Sequence, residues 1–247
     1  MEEPQAPSSS LRGASLGRRI KDSRFAESPT HRFGQIIGDV IEESVRQPLE
    51  QIADKHGLFL DHKHPRATRA GKNKVSWTDF KKNVHDLDYV LESGGSDQVL
   101  GRPKAFIEIA YRRYTKHSRN KAQEIQGAIA PIAETYRDDH PFLGVVLAGV
   151  FTAGSIQQLR SHGFGVLYFP FKSIVAAFAK VGIDAHFDED STDRSVAAKV
   201  KAYQELSAAQ RRKIIGALRR LHRADFETFF DELEVCLTRS VKCAKSL

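Results

Sequence analysis

Two acidic side chains, Asp88 and Glu108, stand in short apolar runs where carboxylates are out of place. The first run is Leu87-Asp88-Tyr89-Val90-Leu91, and the second, from Lys104 to Tyr111, is built around Ala105-Phe106-Ile107-Glu108-Ile109-Ala110. Each reads as a strand, and Ser93-Gly94-Gly95-Ser96-Asp97 between them is turn chemistry. A turn centred near Gln98 sets Asp88 opposite Glu108 across an antiparallel pair. Opposed residues share a face, with Cβ atoms about 5 Å apart. Two carboxylates that close repel each other, so one has its pKa raised unless a cation intervenes. Oxygen ligands suit Mg²⁺, or Mn²⁺ in its place. The competing reading is an exposed hairpin whose acids simply face water.

The stretch after Glu108 carries the opposite charge. IAYRRYTKHSRNKAQ contains Arg112, Arg113, Lys116, Arg119 and Lys121, with two tyrosines, His117 and no acid. Four- and three-residue steps put His117, Lys121 and Glu124 on one face of a helix. That face begins just past the strand bearing Glu108, so it can look back at the carboxylates. Upstream, the polar segment 61–82 adds Lys63, Arg66, Arg69, Lys72 and Lys74, candidates to grip phosphates or read bases. Residues 61–121 hold fourteen basic and seven acidic side chains, a surplus equal to the +7 of the whole chain. Basic groups with interleaved aromatics beside a metal site are what chemistry on a phosphate backbone needs.

The stretch DLDYVLESGG…KAFIEIAYRRYTKHSRNKAQEI resembles the core of the PD-(D/E)xK nuclease superfamily, type II restriction endonucleases above all. The order of elements from Phe33 to Phe169 is similar to that family's αβββαβ core, so the resemblance covers about 140 residues. It implies that Asp88 and Glu108 bind metal, with Asp86 a rival to Asp88 because it has the same strand phase. It also implies a lysine that positions or activates the attacking water. The motif lysine position holds Ala110. Either the lysine has migrated to the next helix, as Lys121 or Lys116, with Glu124 assisting, or the site is degenerate and binds DNA without cutting it.

The elements that must position these groups follow from periodicity. Ile36, Ile37, Val40, Ile41, Val45, Leu49 and Ile52 mark an amphipathic helix ending at Gly57, with Pro48 expected to kink or split it. Its Glu42, Glu43 and Glu50 are either an accessory acid or a solvated face. Ser118 is the expected cap of a helix from Arg119 to about Tyr136. The apolar run 143–151, a short helix to about Ser161, the run 165–169 and a helix to about Lys180 make a parallel crossover. Residues 61–82 read as loop or ragged strand, with Trp77 a core anchor rather than a stacking platform. No Ser-His-Asp context or phosphate-binding glycine loop is evident.

The expected fold is therefore α/β: a restriction-endonuclease-like αβββαβ core with a mixed sheet over 31–190, preceded by a disordered or loosely docked arm over 1–30. A C-terminal helical extension follows over 191–247. Hydrophobic residues at 40% and charged ones at 28% exclude a wholly disordered chain. Cys236 and Cys243, seven apart on a helix, are spaced too far for a disulfide, which suits a reducing cytoplasm. No apolar run suits a membrane span or a signal peptide. The expected function is Mg²⁺-dependent cleavage of double-stranded DNA by a cytoplasmic homodimer.

Overall fold

In the computed structural model, residues 28–188 and 190–244 are described, the side chains of 115–119 and 240–244 excepted. The first 27 residues of the expected arm lie outside that range. Ser28 caps the first helix by accepting the N–H of His31, and Pro29 supplies a preset φ at its first turn. This helix, α1, runs Pro29–His56 without a break and ends on Gly57 in the left-handed conformation, as its pattern predicts. Pro48 neither splits nor stops it. The carbonyl that Pro48 leaves without an N–H, that of Ser44, is taken instead by Arg219 Nε at 2.8 Å.

Seven strands follow, interleaved with helices: β1 (Phe59–Asp61), β2 (Val75–Thr78), β3 (Val84–Leu87), β4 (Tyr89–Ser93), β5 (Arg102–Arg112), β6 (Phe142–Gly149) and β7 (Gly165–Pro170). The helices after α1 are α2 (Thr115–Thr135), α3 (Ala153–Ser161), α4 (Phe171–Ala179), α5 (Asp193–Gln204), α6 (Ala208–Leu221) and α7 (Arg223–Ala244). The fold is α/β, with a five-stranded mixed sheet in the order β1-β4-β5-β6-β7 and seven helices among the described residues. β1, β4 and β5 are antiparallel neighbours, whereas β5, β6 and β7 are parallel. A separate two-stranded ribbon pairs β2 with β3.

Strand alternation sends side chains to two cores. Tyr89, Leu91, Ala105, Ile107, Val146 and Phe169 pack with α1, and the same core takes in Val196, Ile214, Leu218, Phe229 and Leu233 of the C-terminal helices. Val90, Phe106, Ala110, Val145 and Leu147 pack on the other face against Ile125, Ile129 and Ile132 of α2 and against Val75, Trp77 and Leu87 of the ribbon. Trp77 is the core anchor expected of it, edge-on to Phe106 and Tyr136. α2 starts at Thr115 rather than after Ser118, because β5 hands over directly through Tyr114, which is extended at the cap position. Among the described residues no helix is long and apolar enough to cross a membrane.

Candidate functional site

The hairpin register is the one the turn implies. Tyr89 lies opposite Ile107, Val90 opposite Phe106 and Leu91 opposite Ala105, before a bulge shifts the pairing at Glu92. Continued by one residue, it sets Asp88 opposite Glu108. Asp88 stands at the bend where the chain leaves the ribbon and enters the main sheet, between β3 and β4. With no strand carbonyl there to pair with β5, the Asp88 carboxylate takes that place: the Ile109 N–H donates to its Oδ2 at 2.6 Å. Glu108 projects from β5 on the α2 side, between the buried Phe106 and Ala110.

Lys121 closes the cluster. Its Nζ lies 3.1 Å from Glu108 Oε1, and both side chains are largely covered. Burial is the main force raising the pKa of each acid. The Glu108 charge raises Asp88 further, against the pull of the Ile109 N–H, Lys121 and Lys63. Glu108 is also raised by burial, against Lys121 and Arg112, while Asp86 pushes it up. Glu42 of α1 is half-buried and raised by burial and then by the charge of Asp88, which places it at the edge of the same cluster. Tyr89 Oη donates to the Glu42 carbonyl at 3.4 Å and ties α1 to this end of β4. Glu43 and Glu50 are exposed, the latter paired with Arg46.

The rival acid is differently placed. Asp86 is exposed on the ribbon, 2.5 Å from Lys74 Nζ and 2.6 Å from Ser76 Oγ, and its pKa is lowered by Lys74 first. Glu124 also falls outside the pair: it is 61% exposed and lies 3.9 Å from Arg112 Nη2. Among the described residues no three His, Cys, Asp or Glu side chains group as a ready metal centre. The two carboxylates do suit a small hard cation. Each has one oxygen beyond its single protein hydrogen bond, burial raises the pKa of both, and every ligand atom they offer is oxygen.

The basic candidates divide. Lys63, Lys72 and Lys74 are exposed, and Arg112 is partly so beside Glu108. Lys116, His117 and Arg119 belong to the start of α2, with side chains outside the described residues. Arg66 is not available to a nucleic acid. It is 0% exposed, with Nη1 2.8 Å from Asp61 and 2.6 Å from Glu92, and its remaining donors on Glu92, Ser96 O and Val99 O. Arg69 is likewise committed, to Asp61, His64 O and Lys72 O. Arg113 stacks 4.0 Å from the Phe171 ring centroid and donates to Phe187 O, pinning the loop before α5. Sequence cannot separate such arginines from phosphate-gripping ones, because the acids, carbonyls and rings that engage them come from β1, β4 and loops brought in by folding.

Two features lie outside what the sequence pattern predicts. One is the short strand β1 with the buried clasp in which Arg66 of the polar segment meets Asp61 at its start and Glu92 of β4. The other is the β2–β3 ribbon: the segment expected as loop or ragged strand holds the regular strand Val75-Ser76-Trp77-Thr78, alternating with period two and paired to β3. A further polar line joins Ser173, His222 and Asp225, with His222 Nε2 2.8 Å from Ser173 Oγ and Nδ1 3.4 Å from Asp225 Oδ2. Ser173 is buried inside α4 and Asp225 is exposed at the surface, so the line ties α4 to the α6–α7 corner. Comparisons with family models, curated proteins and solved structures return no match for this chain.

Proposed function

We propose that this chain is a metal-dependent endonuclease of double-stranded DNA, similar to type II restriction enzymes. The observation that carries the reading is the convergence of Asp88, Glu108 and Lys121 from a sheet junction, a strand and a helix into one largely covered cluster. The order α1, β1, β4, β5, α2, β6 supports it, being αβββαβ once the β2–β3 ribbon is taken as an insertion. Lys63, whose charge acts on Asp88, and Arg112, whose charge acts on Glu108, supply positive charge around the acids.

In this reading Asp88 and Glu108 hold Mg²⁺, or Mn²⁺, which when bound offsets the charge developing on the phosphate and acidifies water. Lys121 and the Ile109 N–H orient the two carboxylates, Glu108 and Asp88 respectively. Lys121 spends one N–H on Glu108, leaving two to hold the attacking water or a phosphate oxygen. Arg112 steadies the negative backbone. Water attacks in line, the bond to the 3′ oxygen breaks, and a 5′-phosphate and a 3′-hydroxyl result, as the family resemblance implies. Cutting both strands needs two such sites, so the reading includes a homodimer.

A second reading, a DNA-binding protein on a degenerate nuclease scaffold, is favoured by one observation. Ala110, at the motif lysine position, is buried and cannot touch substrate. Incubation of the full chain with plasmid and mixed linear DNA, in Mg²⁺, Mn²⁺ or EDTA, decides between them. Metal-dependent cleavage that is lost in Asp88→Ala and Glu108→Ala is expected. Tight binding with no cleavage in either metal refutes the enzyme and leaves the scaffold reading.

A further inference from the structure

The β2–β3 ribbon is built unlike the rest of the molecule. It forms its own two-stranded sheet, and the chain passes from it into β4 through Asp88. Its inner face is buried: Val75, Trp77 and Leu87 pack on the α2 side, and the Phe80 N–H donates to Thr135 Oγ1 at 2.9 Å. Its tip is held by one carboxylate. Asp79 accepts the N–H groups of Lys81 and Asn83 at 2.8 and 2.9 Å and the Asn83 side-chain amide at 2.9 Å, and it lies 3.0 Å from His85 Nε2. Lys82, at φ +69°, takes the left-handed position that the tight turn needs.

This rigid tip presents an unusual surface. Phe80 is 58% and Val84 65% exposed, and Lys81 and Lys82 beside them are exposed, with Lys81 Nζ 5.6 Å from the Phe80 ring centroid. Between the tip and the carboxylates the outward side chains are small or β-branched: Ser76, Thr78 and Val84, with Lys74 paired to Asp86. Lys72 is exposed on the approach. Asp79 is buried and fully engaged, so Asp86 is the one exposed acid set against four lysines over 72–87.

We propose that the ribbon is a DNA-engaging arm: it lies along a duplex groove, its tip lysines grip phosphates and Phe80 makes the apolar contact. The identity of the polyanion as DNA rests on the nuclease reading. Charge complementarity selects a polyanion over an apolar protein partner, and a two-stranded ribbon is a shape the major groove admits. Five residue steps along extended chain lead from Asn83 to Asp88, a reach of about 17 Å. That is the length of about five base pairs at roughly 3.4 Å each, so the tip touches DNA well away from the scissile phosphate.

The test uses the full chain, Phe80→Ala and the double variant Lys81→Ala/Lys82→Ala, with a fluorescent duplex of about 30 base pairs in EDTA across a salt series. The arm predicts that the double variant binds at least tenfold more weakly and that its salt slope falls by about 1.8, two phosphates' worth. Phe80→Ala weakens binding at an unchanged slope, and both variants melt as the parent does. Affinities and slopes equal to the parent's overturn the arm, and if the parent cleaves in Mg²⁺ the nuclease reading still stands. A parent that never cleaves but binds duplex through the ribbon keeps the arm and overturns the nuclease reading. A chain that binds no duplex, and whose Phe80 and Val84 instead drive self-association in sedimentation, overturns the arm.

Discussion

Asp88 carries its negative charge at a cost to the fold, and removing that charge has a calculable effect. Burial, and then the Glu108 charge, push its pKa from an ordinary 3.8 to about 7. A carboxyl raised on folding binds its proton more tightly in the folded chain than in the unfolded one. Its contribution to stability is therefore fully present below about pH 3.8 and is lost as the pH rises through about 7. At 1.36 kcal/mol for each tenfold change in acidity, the difference withheld at pH 8 is up to roughly 4 kcal/mol. Asp88→Asn keeps an oxygen for the Ile109 N–H and discards the charge. At pH 8 without metal the variant should melt as much as roughly 10 °C above the parent, and the gap should close as the pH falls to 4. Carboxylates beyond the reach of Asp88 titrate equally in both proteins and cancel, whereas Glu42 and Glu108, which interact with it, lose that repulsion in the variant and change the gap in the same direction. Saturating Mg²⁺ should restore the parent, by about 2.7 kcal/mol at a hundred times its dissociation constant, and leave the variant unmoved. Thermal melts of both chains from pH 4 to 8, with and without Mg²⁺, read all of this. A variant no more stable than the parent at pH 8, or a gap that does not change with pH, refutes the reasoning.

Other substitutions probe the framework and the chemistry. Arg66→Ala strands Asp61 and Glu92 in the interior and should cost about 3–5 kcal/mol in urea unfolding; a loss under about 1 kcal/mol would show the clasp to be dispensable. Gly149→Ala places a side chain at φ +99°, with its Cβ driven into the Arg112 carbonyl oxygen. It should destabilise by at least about 2 kcal/mol and weaken DNA binding through the displaced Arg112, readable by melting and by anisotropy. Lys121→Ala should slow cleavage at least about a hundredfold while DNA affinity in EDTA stays within about threefold; equal losses in both would make Lys121 a binding group instead.

Much of the architecture is legible because it is local. The 3.6-residue period of α1 and the stop at Gly57, the near-continuous apolar runs of β6 and β7, and the turn chemistry that sets Asp88 against Glu108 all involve residues close in sequence. Pro48 misleads because its effect on α1 is settled by Arg219, far along the chain. Asp88, Glu108 and Lys121 fall within one short stretch, and strand phase and helical face suffice to bring them together. Glu124 shares the helical face of Lys121 but lies further along it, toward solvent.

The sequence by itself determined the types and order of the elements from β4 to α4, the helix α1 and the hairpin phase, since periodicity and turn residues act over a few neighbours, but not β1 or the β2–β3 ribbon. Only the tertiary structure decided which charges are spent. Arg66, Arg69 and Arg113 look as available as Lys63 or Lys72 until β1, β4 and the loop before α5 close around them. A guanidinium serves equally well as an internal clasp or as a grip on phosphate, and the deciding factor is whether an acid or a carbonyl from a distant segment is folded against it.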